Sequence, residues 1–193
     1  MTAVPLLLAS SNPGKLQEFQ GLLAGIPPWE ITLLPAGVEL PETGATFVEN
    51  ATQKAQAAAQ QFGQWTLADD SGLCVAALDG APGVYSARYG ASDPERIDKL
   101  LTALQGVTDR RASFAAALVV CDPTGKVRAV AEGRCDGEIT TAPRGEGGFG
   151  YNPIFYVPTV GLTFAEMTVE QRRQLSHRGV AWRALLPQFL TLP

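Results

Sequence analysis

Near its start the chain carries a short apolar run, Val4 to Ala9, which passes through Ser10-Ser11-Asn12-Pro13-Gly14-Lys15 into a segment with Leu16, Phe19, Leu22 and Leu23 at helical spacing. The run reads as a buried strand, the polar stretch as a loop, and the spaced apolar residues as a helix. A strand feeding directly into a helix points to an α/β layer architecture. The rest of the chain keeps to that pattern. Ile31 to Leu34 reads as a second strand. Thr46-Phe47-Val48-Glu49 is a capping box that opens an Ala- and Gln-rich helix running to about Phe62, with Gly63 as its stop. Trp65 to Ala68 reads as a strand ending in Asp69-Asp70-Ser71-Gly72, and Leu73 to Leu78 is apolar again. Asp93-Pro94, read as cap and first helical residue, opens a helix carrying Ile97, Leu100, Leu101 and Leu104. Phe114 to Cys121 and Val127 to Ala131 read as strands joined by the turn Asp122-Pro123-Thr124-Gly125. Ile154 to Val157 reads as a short strand. Thr168 with Gln171 is a second capping box, opening a helical tail expected to turn Val180, Leu185, Leu186 and Phe189 toward the core. Helices mixed with hairpin strands predict a mixed α/β sheet with flanking helices, and no internal repeat or long linker divides the chain.

Composition narrows the function classes. With 193 residues, 46% of them apolar and 18% charged, the chain suits one α/β domain or two closely fused lobes, burying roughly 70% of its unfolded surface. A formal charge of −4 gives no general field for nucleic acid, so a polyphosphate ligand needs local donors and the help of a metal. The first apolar run has no basic n-region before it, and no stretch approaches the ~20 apolar residues of a membrane span. Cys74, Cys121 and Cys135 are odd in number, far apart and free of any C-x-x-C pairing, which reads as buried free thiols. The expectation is a cytoplasmic protein with neither nucleic acid nor membrane as partner.

Four segments carry residues able to do chemistry. The loop Ser10 to Lys15 places backbone N–H groups at a helix start, with Lys15 as a point charge and Asn12 as a polar fork, and so suits phosphate. Its spacing is not that of a Walker A loop. The pair Asp69-Asp70 ends a buried strand, where successive side chains point to opposite faces, so one of the two is expected to face a given site. A hard Mg²⁺ site takes one or two carboxylates and leaves its other positions to water and phosphate. Glu42, in Pro41-Glu42-Thr43-Gly44, could complete it. Glu49 ranks below Glu42 because capping is a sufficient account of it, and Lys54, five residues on, has a solvated lysine on the helix surface as its alternative; the sequence leaves open whether either is catalytic or structural. The loop GEGGFGYNP sets Phe149 between glycines, as stacking on a flat ring requires. Ser176-His177-Arg178 holds the chain's one histidine. No G-x-S-x-G elbow accompanies it, but a histidine–arginine pair can offer hydrogen bonds to a 6-keto oxygen or a phosphate.

In order and spacing, ASSNPGK, PETG, TFVENATQKA, LADDSGL, GAPGVYSARYG, GFGYNPIF, FAEMT and SHRG resemble the inosine/xanthosine triphosphate pyrophosphatase family, the RdgB or ITPase type. The resemblance extends from residue 6 to about 186. It implies one ITPase-like domain over 1–193: an elongated mixed sheet whose two lobes enclose a nucleotide cleft, in a protein that is typically a homodimer. It implies Mg²⁺-dependent hydrolysis of dITP, ITP and XTP to the monophosphate and pyrophosphate. Carried over position by position, Ser10, Ser11, Asn12, Pro13, Gly14 and Lys15 hold the phosphates. Glu42 and Asp70 bind the metal, and Asp70 is also the proton acceptor. Ser71 touches the substrate, Phe149, Gly150, Tyr151 and Asn152 line the base pocket, and His177 and Arg178 contact the base. Two positions depart from the family pattern. Asn152 stands where an aspartate is usual, and Arg172 stands where many members carry a base-reading lysine. An Asp70 carboxylate beside a metal is expected to have a depressed pKa. Two other readings compete: a Maf-like pyrophosphatase, which the SHR and GFGY blocks oppose, and a nucleotide sensor without turnover, which does not need Glu42 and Asp70.

Overall fold

The computed structural model describes residues 3–193. Its elements run β1 (Val4–Leu8), α1 (Pro13–Leu23), β2 (Trp29–Leu33), α2 (Phe47–Phe62), β3 (Trp65–Val75), α3 (Asp93–Ala103), β4 (Arg111–Cys121), β5 (Val127–Ile139), β6 (Phe155–Val157), β7 (Leu162–Thr163), α4 (Val169–Leu175) and α5 (His177–Phe189). Among the described residues seven strands form one sheet in the order β2-β1-β3-β4-β5-β6-β7. Strand β1 runs parallel to β2 and β3, whereas β6 is antiparallel to both β5 and β7. The expected mixed α/β sheet is what forms.

The chain divides into two compact units. The first runs to Asp70 and adds Ala116–Gly133 and Arg178–Pro193; the second comprises Ser71–Ala115 and Arg134–His177. In the first unit the strands bury both faces. Leu6, Leu8, Leu67 and Leu118 pack with Phe19 of α1 and Trp182, Leu185 and Phe189 of α5. The alternate residues Leu7, Ala9, Ala68, Ala117 and Val119 pack with Ala51, Ala55, Ala58 and Ala59 of α2. The small alanine stripe brings that helix close to the strands. The second unit closes on Leu73, Val75, Leu100, Phe114, Ile139, Phe155, Phe164 and Met167.

Helix α2 forms as its caps dictate. Thr46 and Glu49 make the reciprocal capping box, and Gly63 ends the helix at φ +63° in the left-handed region that glycine tolerates. The second capping box, Thr168 with Gln171, also forms. Elsewhere the structure corrects the sequence-based boundaries. Asp69-Asp70-Ser71-Gly72 does not end a strand; β3 runs through it unbroken, because ion pairs inside the first unit compensate both aspartates. The cap of α3 is Ser92, whose Oγ accepts from the Glu95 N–H. Asp93 is thereby freed to pair with Arg96 at 2.5 Å and to accept the Gly150 N–H at 2.6 Å. The helical tail breaks at Ser176, which is extended (ψ 157°) and caps α4. Leu185 and Phe189 of α5 are buried as expected, but Val180 and Leu186 are only partly so, and Trp182 takes the core position between them. Cys121 and Cys135 are buried free thiols and Cys74 is half-buried; burial pushes the first two up to about 11. Among the described residues no helix is long and apolar enough to cross a membrane.

Candidate active site

In the first unit, β1 delivers the chain to Asn12, whose Oδ1 accepts the N–H groups of Gly14 (2.8 Å) and Lys15 (3.3 Å), with Pro13 in the first turn of α1. Ser10 Oγ accepts the Asn12 N–H at 3.2 Å. The loop is thus an N-cap built from its own side chains. Asn12, expected to be a fork toward phosphate, uses its carbonyl oxygen to cap the helix. Ser11 is exposed, and Ser10 and Lys15 are partly so.

Two clusters of charge lie at the end of β3 in this unit. Asp69 is fully buried, and its Oδ2 receives Lys15 Nζ at 2.6 Å and Arg178 Nε at 3.1 Å. Arg178 also reaches Glu18 Oε2 at 3.0 Å. Burial alone would raise the Asp69 pKa, but Arg178 and Lys15 outweigh it and hold the carboxyl ionised well below the usual range. Burial also lowers Lys15, with Asp69 pulling it back. Arg178, expected to contact a base, here bridges two carboxylates.

The second cluster centres on Lys54. Its ammonium donates to Glu42 Oε1 (2.8 Å), Asp70 Oδ1 (2.7 Å) and the Asp69 carbonyl (3.0 Å). Asp70 Oδ2 accepts from Asn50 Nδ2 at 3.3 Å. Lys54 is only 5% exposed, so of the alternatives left open for it the solvated surface lysine does not hold. Burial would lower its pKa, but Asp70 and Glu42 raise it, and it stays charged. Among the protein's own groups, burial pushes Asp70 above the ordinary carboxylate value while Lys54 pulls it down. Sequence reasoning missed Asn50 and left the role of Lys54 open, although a signal was present. Asn50, Ala51, Lys54, Ala55, Ala58 and Ala59 form one buried stripe at helical spacing, and a polar residue on an otherwise alanine stripe faces the interior. Glu49, by contrast, is exposed and accepts the N–H groups of Ala45 and Thr46, which is the capping role expected of it.

In the second unit Ser71 continues β3 directly after Asp70. Asn152 is buried, with its amide oriented to donate to the Phe149 carbonyl (3.3 Å) and accept the Phe149 N–H (3.2 Å). It braces the loop that presents Phe149. Gly148, at φ +80°, is required there because a Cβ would collide with the Asn152 amide. Tyr151 is buried and donates its hydroxyl to the Ser86 carbonyl at 2.9 Å, while Gly150 is tied to Asp93 as above. Arg172 donates to the carbonyls of Phe164 (3.0 Å) and Met167 (3.1 Å). His177 is 3% exposed and lies nearly parallel to Phe114 at 4.7 Å and to Phe164 at 6.3 Å. Tyr151, Asn152 and Arg172 are therefore engaged in holding their own unit together.

Fold and clusters together define a class: mixed-sheet α/β proteins that set a capped strand–helix loop and a converging pair of carboxylates in one unit. The comparisons make it particular. The Ham1 family model matches residues 6–188, and the chain belongs to that family. It is similar to the dITP/XTP pyrophosphatase of Thermosynechococcus vestitus, 53% identical over 188 residues that cover 96% of this chain and 95% of that one. It is 56% identical over 187 residues to the dITP/XTP pyrophosphatase of Prochlorococcus marinus, covering 97% and 92%. The solved structure of a HAM1 protein from Coxiella burnetii superposes with a TM-score of 0.83 at 44% identity, covering 97% of this chain and 98% of that one.

Proposed function

We propose that the protein is a nucleoside triphosphate pyrophosphatase that hydrolyses dITP, ITP and XTP to the monophosphate and pyrophosphate, clearing non-standard purines from the nucleotide pool. Its full-length likeness to dITP/XTP pyrophosphatases supplies the reaction. The observation in the structure that carries the reading is the convergence of Glu42 and Asp70 on one cationic group. Two carboxylates that meet around an ammonium form an oxygen donor set of the kind Mg²⁺ takes, with room in its coordination for water and phosphate oxygens. The donor set fits Mg²⁺, with Glu42 and Asp70 as its holders. Bound there, Mg²⁺ would neutralise charge on the polyphosphate.

The remaining work falls to the chain's own groups. Lys15 and the Ser10 and Ser11 hydroxyls bind phosphate oxygens, Lys15 as a point charge. Asp70 orients a water for attack on the α-phosphorus and accepts its proton; the new bond joins water oxygen to phosphorus, and pyrophosphate leaves with the broken P–O bond. Beside the metal the Asp70 pKa would be depressed, so its part is to orient and polarise the water more than to act as a strong free base. Lys54 keeps both carboxylates in place. Phe149 is the stacking face for the base, and His177 with Arg178 supplies donors to a 6-keto oxygen. The protein acts in the cytoplasm as a homodimer. Turnover in ¹⁸O-labelled water tests the reaction itself. Label in the monophosphate is expected; label in pyrophosphate or in inorganic phosphate contradicts attack at the α-phosphorus.

A further inference from the structure

We infer that Asn50 is a positioning residue that fixes the two metal-binding carboxylates relative to each other. The inference rests on the metal site proposed for Glu42 and Asp70. Asn50 lies in the first turns of α2, 3% exposed. Its Oδ1 accepts the Gly44 N–H at 2.8 Å and its Nδ2 donates to Asp70 Oδ2 at 3.3 Å. One amide therefore joins the loop that carries Glu42 to the strand that carries Asp70.

The surrounding contacts give the link its force. Both Asp70 oxygens are held from α2: Oδ1 by Lys54 and Oδ2 by Asn50. Two donors on two oxygens set the plane of the carboxylate, whereas one would leave it free to turn. The Glu42 loop is bound to the same helix face at three successive residues, Glu42 to Lys54, the Thr43 N–H to Gln53 (3.0 Å), and Gly44 to Asn50. Gly44 has no side chain for a physical reason. A Cβ there would stand 2.5 Å from Glu49 Cβ and 3.0 Å from Asn50 Oδ1, so only glycine lets the loop come close enough to donate. The position needs an acceptor toward Gly44 and a donor toward Asp70, and the asparagine amide supplies one from each of its two ends. Partners of metal ligands that set orientation in this way typically account for about 10- to 100-fold in metal affinity or rate.

The test uses Mn²⁺ as probe, its binding to the free protein followed by water-proton relaxation in wild type, Asn50→Ala and Asn50→Leu. Alanine leaves room for water and leucine keeps the volume, so at least one folded variant is expected. Ala58→Gly, on the same buried face but touching neither carboxylate, is the stability control. The expected result is a Mn²⁺ dissociation constant raised about tenfold or more in the Asn50 variants, with faster exchange of the Gly44 amide, a fall in kcat and little change in KM. Ala58→Gly is expected to lower Tm without moving the Mn²⁺ constant. An Asn50→Ala constant within about twofold of wild type, or an equal shift in Ala58→Gly, overturns the inference, as does a wild type that does not bind Mn²⁺. The functional reading is separable. Wild-type pyrophosphate release beside an unaltered Asn50→Ala constant defeats Asn50 alone, and an altered constant without any pyrophosphate release defeats the reaction alone.

Discussion

Replacing Asp70 by asparagine keeps the shape of the side chain but removes the charge that pairs with Lys54 at 2.7 Å. kcat is predicted to fall on the order of 10² or more while nucleotide binding survives; a variant retaining over about a tenth of wild-type kcat in steady-state assays contradicts the role of Asp70. Asn152→Asp tests a different interaction. A carboxylate there still accepts the Phe149 N–H but faces the Phe149 carbonyl without a proton to donate. Unfolding in urea should show a loss of about 1–3 kcal/mol, and unchanged stability would remove the brace from the account. Asp70 stood out in the sequence because a charged pair after an apolar run is conspicuous, whereas Asn152 was singled out only by the resemblance, as a departure from the family pattern. Asn50 did not stand out, and Lys54 was noted but left undecided, because a lysine five residues past Glu49 looks solvated until the alanines around it are seen to share its face. What no pattern supplies is the partner of each charge. Nothing in the order of residues says that Lys15 and Arg178 meet on Asp69.

Helix α2 shows which local rules were sufficient. The capping box and the glycine stop set its limits, and the structure keeps both. Glu49 belongs to that cap, so Glu49→Gln, which can still accept from Ala45 and Thr46, is predicted to leave kcat within about twofold of wild type. Glu49→Ala is predicted to cost about 1 kcal/mol of stability. A large loss of kcat in the glutamine variant, measured at saturating substrate, would make Glu49 part of the chemistry instead. The boundaries that went wrong did so where tertiary contacts overrode local preference. Strand β3 continues through Asp69 and Asp70 because buried cations compensate them. Ser92 takes the cap of α3, and Asp93, one residue on, instead pairs with Arg96 and accepts the Gly150 N–H. Strand β5 continues past Ala131 on an alternation of buried and exposed residues, Ala131, Gly133 and Cys135 against Glu132, Arg134 and Asp136, a period-two signal that the sequence did carry.

Across the whole molecule, the mixed sheet was readable from the alternation of strand and helix patterns and two lobes were expected from the resemblance, but where the chain divides between the two units was not readable. The chain passes between them at Asp70–Ser71, Ala115–Ala116 and Gly133–Arg134, all inside strands, and at His177–Arg178 at the start of α5. No linker composition marks such crossings. Arg178 ties the C-terminal segment of the first unit to its N-terminal part through Asp69 and Glu18. Arg178→Met, which leaves the buried Asp69 charge under-compensated, is predicted to cost about 3–5 kcal/mol in denaturant unfolding. Because the Asp69 pKa is held below its ordinary 3.8, its contribution is complete above that pH. It is lost as pH falls toward the folded-state value, since the unfolded chain then takes up the proton first. The function of the whole rests on which nucleotides it cleaves. Adenine presents an N6 donor where hypoxanthine and xanthine present an O6 acceptor, and a pocket of donors rejects such a mismatch by several kcal/mol. The most direct measurement is Mg²⁺-dependent pyrophosphate release from ITP, dITP, XTP, GTP and ATP, compared as kcat/KM. The account predicts ITP, dITP and XTP ahead of ATP by on the order of 10² or more, with no turnover when the metal is chelated; comparable values for ATP and ITP would contradict it.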